Sequence, residues 1–548
     1  MKKLLVLFAG LWISGQSGIP QFQELRQEAG LSVVIVSGAP DKHYLVESVG
    51  GGIGIIDYDR DGWIDIYVVN GQTLDSFRNP DPAHYNRLYR NLGDGTFEDV
   101  SRQAGVDDIG WGKGVLVADL NSDGFDDLYI LNWGPNVLYR NNGDGTFTNV
   151  TVNSGLDDGQ WSSAAAAADY DGDGDLDIYL VNYLDYDIDH LPVEGKFCSY
   201  REIPVACGPR GLKGAADRFF RNDGNFVFTD VTRETGMEEQ SAYYGLGAVW
   251  GDYDNDGDQD LYVANDSTPN YLYQNQGNGR FLEVGAEAGI AYSDDGREQA
   301  GMGVDFGDYD NDGWLDIAVT NFSHDYNTIY RNTGTGYFID ASFSSGVAAV
   351  TQPDLSWGVS FSDFNNDGLK DLFIANGHIY PQVDSYGLNV FYHQPNRLFL
   401  NRGAGKFEDI SQLAGEGLKA ARSTRGAAFG DFNNDGLLDI VLAELDDTPT
   451  LLLNQTKIGN HWILLLLEGT RSNRNAVGSR ITVQTGGIRQ IREVQAGGSY
   501  AGSNDFRAHF GLGNDSRIDR IEIRWPSGKL SVLEDVPANQ ILKLTEPE

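Results

Sequence analysis

A nine-residue pattern recurs seven times along this chain and constrains its fold more than any other feature. It reads D-x-[DN]-x-D-G-x-x-D, with copies beginning at Asp57, Asp119, Asp169, Asp252, Asp308, Asp363 and Asp431. The copies are 62, 50, 83, 56, 55 and 68 residues apart, the spacing of a repeated supersecondary unit. A repeat array also explains how 548 residues can form one body when ordinary compact domains stop well short of that length.

Each copy has the same surroundings. A glycine-rich apolar stretch precedes it, as in Gly301-Met302-Gly303-Val304-Asp305-Phe306-Gly307. An alternating stretch follows, as in Leu176-Asp177-Ile178-Tyr179-Leu180-Val181. A third segment comes next, Asn86-Arg87-Leu88-Tyr89-Arg90-Asn91 in the first unit, then a Gly-Asp-Gly turn at 93–95 and a fourth segment at 96–100. Short alternating runs punctuated by glycine turns read as strands joined in hairpins. Four strands per unit make a propeller blade, and seven units predict an all-β, seven-bladed ring.

The two ends of the array predict closure. The seventh unit stops after its third strand at 450–454, one strand short. The absent strand is supplied by Phe22-Gln23-Glu24-Leu25, followed by Glu28-Ala29-Gly30-Leu31, which mimics Phe97-Glu98-Asp99-Val100 followed by Gln103-Ala104-Gly105-Val106. An N-terminal strand that completes the last blade removes the exposed edge of an open ring.

The repeated turns carry the chemistry. Carboxylates at positions 1, 3, 5 and 9 of a tight turn converge on one centre, where they repel one another unless a cation lies between them. Calcium takes six to eight oxygens, and the glycine at position 6 allows the sharp bend. The expected ligand sets are Asp57, Asp59, Asp61 and Asp65; Asp119, Asn121, Asp123 and Asp127; Asp169, Asp171, Asp173 and Asp177; Asp252, Asp254, Asp256 and Asp260; Asp308, Asp310, Asp312 and Asp316; Asp363, Asn365, Asp367 and Asp371; and Asp431, Asn433, Asp435 and Asp439. Up to seven Ca²⁺ ions are expected, chiefly in a structural role that pins each first hairpin. EF-hands are excluded, because position 12 is Val68, Ile130, Leu180, Val263, Val319, Ile374 or Leu442 and never the bidentate glutamate.

The formal charge of −40 is uneven. Residues 457–548 carry a net +2, so the preceding 456 residues hold −42. Such a surface repels phosphate backbones and excludes direct nucleic-acid binding.

The first 17 residues read as a secretory signal: Lys2 and Lys3, an apolar run at 4–13 too short to span a bilayer, then small residues. No other segment approaches transmembrane length. The two cysteines, Cys198 and Cys207, are expected to form a disulfide, as suits a secreted, periplasmic or cell-surface protein.

The units resemble FG-GAP/VCBS repeats, the calcium-bearing blades also seen in integrin α-chain propellers. After Lys457 the chain is similar to an ASPIC/UnbV domain. The resemblance is carried by Asn460-His461-Trp462, Ser472-Asn473-Arg474-Asn475-Ala476-Val477-Gly478-Ser479-Arg480, His509-Phe510-Gly511-Leu512-Gly513 and Arg524-Trp525-Pro526-Ser527-Gly528. Together these match the family of bacterial relatives of cartilage acidic protein. The resemblance implies a propeller over 18–456, a small β-rich domain over 457–548, and an extracellular calcium-binding role in adhesion or scaffolding.

Strand order puts the acidic turns on one face and the connections between second and third strands on the other. That second face carries the long insertions, 71–85, 183–216 and 377–395, and is expected to bind a protein or glycan. Trp111, Trp161, Tyr244 and Trp357 should approach it near the central channel, as sugar- or peptide-stacking platforms or as blade packing. His378 and Tyr380 open the third insertion and complete the expected ligand face. Neither a G-x-S-x-G elbow nor a P-loop lysine is present. The chain therefore reads as a binder, the alternative being an extracellular enzyme acting on a polysaccharide or small metabolite.

Overall fold

The computed structural model describes residues 18–79, 83–191, 198–238 and 242–548. The signal segment expected at 1–17 lies outside them.

Seven sheets share one strand order, each strand antiparallel to the next. The fifth is representative: Gly301–Gly307, Asp316–Asn321, Thr328–Asn332 and Phe338–Asp340. The innermost strands are buried along their whole length, whereas the outermost expose two residues of three, as in Phe97–Asp99. Crowding near the axis explains the glycines of the inner strands. A Cβ on Gly247 would lie 2.2 Å from the carbonyl oxygen of Met302, and one on Gly303 would lie 2.1 Å from that of Trp357. Only a residue without a side chain lets adjacent sheets approach this closely.

The inner strands form a cycle. Each packs against the next, and the last, Thr424–Gly430, packs against the first, Ile53–Ile56. The seventh sheet is completed by Phe22–Leu25, which pairs with Thr450–Asn454 through Phe22↔Asn454 to Leu25↔Leu451. The expected N-terminal closure is therefore present.

A belt of seven asparagines ties the sheets together. Each ends a third strand and donates its Nδ2 to a backbone carbonyl in the acidic turn of the preceding sheet. Asn141 reaches Tyr58, Asn222 reaches Leu120, Asn275 reaches Tyr170, Asn332 reaches Tyr253, Asn401 reaches Tyr309 and Asn454 reaches Phe364. Asn91 closes the circuit on Phe432 at 2.9 Å.

The C-terminal residues form two further sheets. His461–Glu468 pairs with Ala508–Gly513 and, in parallel, with Gln540–Thr545. The second sheet runs Ile488–Glu493, Arg480–Thr485, Arg517–Arg524 and Leu530–Pro537. Their shared core includes Ile463, Leu465, Ile481, Phe510, Ile521 and Trp525.

This domain sends a finger, residues 494–507, into the axis of the ring. Ala167 donates to the Ala496 carbonyl at 3.0 Å, and Gln495 reaches the Trp250 carbonyl at 3.4 Å. Ser499 exchanges both backbone hydrogen bonds with Val304, while its Oγ accepts from Val359 and donates to Ala427. Gly502–Ser503 runs parallel to Ile53–Gly54, and Ser503 Oγ accepts from Val117. The finger thus touches the inner strand of all seven sheets and fills the channel. The sharp bend at its tip has left-handed backbone at Gly497, Gly498, Ser499 and Ala501.

Candidate metal centres and the loop face

The acidic turns link first to second strands, and their hydrogen bonding repeats from sheet to sheet. The position-1 aspartate accepts the position-6 glycine N–H through Oδ2, as Asp308 does from Gly313 at 3.0 Å and Asp119 from Gly124 at 2.6 Å. The position-9 aspartate is fully enclosed. Its Oδ2 takes the N–H at position 2 and its Oδ1 the N–H of the belt asparagine, as in Asp316 with Tyr309 (3.2 Å) and Asn332 (2.8 Å). The same pair of bonds holds Asp65, Asp127, Asp177, Asp260, Asp371 and Asp439. Position 9 therefore anchors the turn to its third strand, and each oxygen keeps a lone pair for a metal.

In four turns at least three carboxylates bring oxygens within 4.8 Å of one another: Asp57, Asp59 and Asp61; Asp169, Asp171 and Asp177; Asp252, Asp254 and Asp260; and Asp308, Asp310 and Asp316. Where position 3 is asparagine, its Nδ2 donates to the position-5 carboxylate, in Asn121–Asp123, Asn365–Asp367 and Asn433–Asp435. Its Oδ1 then accepts the position-5 N–H, in Asn121 at 3.3 Å, and remains the only ligand atom it can offer. Positions 5 of the remaining turns, Asp173, Asp256 and Asp312, stand on the rim of the same loops.

The donor set fits a divalent cation. Asp57 Oδ1 and Asp252 Oδ1 are buried with no hydrogen-bond partner. Burial, then the neighbouring carboxylates, raises the position-1 groups: Asp57, Asp119, Asp169 and Asp431 to about 6, and Asp308 and Asp363 to about 7. A hard cation with oxygen ligands would remove this penalty.

The opposite face holds a cavity of about 810 Å³ at the mouth of the channel. Trp357, Leu246 and Met302 form its floor, and Tyr183, Tyr200, Phe322 and Tyr380 are among its walls. One side is charged, with Asp266, Asp325 and Glu298 beside Arg210 and Arg297. Asp266 accepts the Tyr183 hydroxyl at 2.6 Å and the Ser267 hydroxyl at 2.9 Å, and burial raises its carboxyl to about 6. The Cys198–Cys207 disulfide closes the loop that contributes Ser199 and Tyr200, and Gly208 to Arg210 follow it directly.

The six residues expected on this face divide. Trp357 and Tyr380 line the cavity, whereas Trp111, Trp161, Tyr244 and His378 do not. Trp111 and Trp161 are fully buried and flank the ammonium of Lys113, which donates to the Val46 and Val49 carbonyls. Tyr244 donates its hydroxyl to the Leu212 carbonyl. His378 is buried among Tyr200, Phe322 and Tyr380, and its Nδ1 accepts the Tyr380 N–H at 3.1 Å. Burial, then Arg425, lowers its pKa to about 3, which favours the neutral ring.

Sequence comparison places these features in a family. The FG-GAP-like repeat profile matches residues 57–130, 119–180, 252–319, 308–374 and 386–442, together more than half of the chain. The chain belongs to the FG-GAP-like repeat family. Residues 469–548 match the ASPIC and UnbV profile. Cartilage acidic protein 1 of Mus musculus is 26% identical over 339 residues, covering 59% of this chain and 48% of its own length. The Homo sapiens protein is 26% identical over 338 residues, covering 59% and 47%. The chain thus spans about half the length of the curated relatives it matches. Among solved structures, an Agrocybe aegerita lectin described as recognising non-reducing terminal N-acetylglucosamine overlays at a TM-score of 0.39 and 16% identity, over 68% of this chain and 83% of that one. At that level the likeness decides nothing about ligand.

Within this FG-GAP-like ring, reading by motif passed over two buried cations. Arg425 stacks on Trp357 at 4.3 Å and donates to the carbonyls of Ser48, Gly377, Thr424 and His378. Lys113 plays the matching role between the two other tryptophans. Neither has a sequence signal, because each sits inside a strand that reads as apolar. The belt asparagines did leave one: every third strand ends in asparagine, from Leu-Tyr-Arg-Asn at 88–91 to Leu-Leu-Leu-Asn at 451–454.

Proposed function

We propose that this protein is an exported calcium-binding propeller that presents its loop-face cavity to an extracellular protein or glycan. The observation that carries the reading is the acidic turn repeated seven times; in four copies three carboxylates bring oxygens within 4.8 Å of one another, and Asp57 and Asp252 each leave one buried oxygen without a partner. The binding assignment rests on the cavity, where aromatic walls meet a side of mixed charge, the combination suited to stacking on an apolar face while hydrogen-bonding hydroxyls or amides. The disulfide and the absence, among the described residues, of any helix long and apolar enough to cross a membrane accord with export. His378, enclosed by Tyr200, Phe322 and Tyr380 with its pKa lowered by burial, lends the enzymatic alternative no support at the position the sequence singled out.

Equilibrium dialysis against calcium followed by elemental analysis tests the first half. Several ions per chain are expected, and chelation should lower the melting temperature by many degrees. Each site in twentyfold excess of its Kd contributes about 1.8 kcal/mol by mass action. No bound calcium at millimolar free ion would sink the reading. A glycan and secreted-protein screen with wild type and Tyr380→Ala tests the second half. Retention of any partner by the variant at unchanged affinity removes the cavity as its site.

A further inference from the structure

The acidic turns form an internal interface. C-terminal-domain residues form hydrogen bonds with five of the seven turns, and Glu468 pairs with Arg60 of a sixth at 3.8 Å. Arg524 Nη2 lies 2.5 Å from Asp252 Oδ2, and Glu493 Oε2 accepts the Asp252 N–H at 3.1 Å. Asn475 accepts the Asp119 N–H at 2.7 Å and donates to Asp126 at 2.6 Å. Arg480 donates to the Gly313 carbonyl at 2.9 Å, Asn460 to that of Asn365 at 2.9 Å, and Arg507 to that of Asp431 at 2.8 Å. These groups grip backbone atoms of the turn, the Asp126 side chain at position 8, or the Asp252 oxygen that also accepts the Gly257 N–H. The charges are complementary, since residues 457–548 carry +2 against −42 for the rest.

The shape that the domain grips is the one in which the turn carboxylates converge. Without a cation their repulsion works to open the turn and displace the carbonyls of Gly313, Asn365 and Asp431. Ion binding and domain docking therefore select the same turn conformation, and two events that favour one conformation strengthen each other reciprocally. We propose that the C-terminal domain is the resident partner of the metal-turn face, and that calcium binding and docking of this domain are thermodynamically linked. The finger is the far end of the linkage, because it enters the channel only when the domain is seated. Arg524 and Asn475 are positioning residues: they act on Asp252 and Asp119 without themselves ligating the ion. The inference rests on the calcium reading above.

The experiment uses the full chain. Calorimetric calcium titration compares wild type with Arg524→Ala, Asn475→Ala and Arg524→Lys, while hydrogen exchange follows residues 494–507 in calcium and in chelator. In the alanine variants the affected turn should bind calcium at least about fivefold more weakly, the lower end of the usual coupling range. Arg524→Lys should recover part of the loss. In wild type, calcium should raise protection across the finger, which contains no expected metal ligand. Absence of all calcium binding overturns the calcium reading itself. Calcium binding with unchanged affinity in both alanine variants, or finger exchange that is indifferent to calcium, overturns the linkage alone. If a variant fails to fold by circular dichroism, the wild-type exchange comparison decides.

Discussion

Replacing Asn332 with alanine should destabilise the ring by about 3 kcal/mol, a figure that follows from three hydrogen bonds each worth about 0.5–1.5 kcal/mol net. The side chain is buried. Its Nδ2 donates to the carbonyls of Tyr253 at 2.8 Å and Leu315 at 3.1 Å, and its Oδ1 accepts the Gly334 N–H at 2.9 Å. The first bond crosses to the neighbouring sheet and the others hold the residue's own turns, so alanine loosens three segments at once and leaves buried carbonyls without donors. Asn332→Asp keeps the acceptor but sets a carboxylate oxygen against two carbonyls. It should cost at least as much as alanine, and more as pH rises and the acid ionises. Asn142→Ala, at an exposed position, should change stability by less than about 0.5 kcal/mol. Urea unfolding followed by circular dichroism, at fixed free calcium, gives the three differences. A loss below about 1 kcal/mol for Asn332→Ala would refute the belt as a stabilising device and leave it a by-product of strand geometry.

Two further predictions concern the flanks of the ring. Glu546 is buried, which raises its carboxyl, but the Ser527 hydroxyl and the N–H groups of Ser472, Arg471 and Thr470 outweigh burial and bring it down to about 2. Because the folded value lies below the ordinary 4.5, the contribution is complete above pH 4.5 and is lost as pH falls toward 2. Glu546→Gln should therefore lower stability at neutral pH by about 1–2 kcal/mol and flatten the profile in that acid window, as read by melting from pH 2 to 7. A variant with the wild-type acid slope would show that other groups set it. Reducing the Cys198–Cys207 bond, or Cys198→Ser with Cys207→Ser, should leave the ring's melting temperature nearly unchanged while speeding proteolysis between 198 and 210. A large fall in melting temperature would mean that the loop supports the ring.

The ring was legible because its signal is local and repeated. A turn such as 308–316 states its own geometry, and the strands around it follow from alternation. Even the closure by Phe22–Leu25 could be read, since that segment copies a fourth strand found elsewhere in the chain. The relation between the two domains could not be read, because it depends on pairs with no shared pattern. Nothing in Arg524-Trp525-Pro526 indicates that its guanidinium meets Asp252. The finger left a faint compositional trace: residues 496–503 are small apart from Tyr500. Steric room accounts for this, since a Cβ on Gly497 would lie 2.8 Å from the Ala165 carbonyl oxygen and one on Gly502 2.7 Å from that of Ile53. His378 misled in the opposite way. An Asn-Gly-His opening a long loop looks accessible, and only the packing of Tyr200 over it from another loop shows that it is covered.

The pairing of Phe22–Leu25 with Thr450–Asn454 also sets an order of events. The contact between Gln23 and Gln455 spans 432 residues, so the Phe22–Leu25 strand waits for its partner through the synthesis of six intervening sheets. During that interval one hairpin edge at each end of the array is bare and able to pair with another chain. Only when the circle shuts do those edges vanish, and only a closed circle offers the axial slot that the following residues fill. Completion therefore runs inward from the rim to the hub, with residues 494–507 acting as the pin of the wheel.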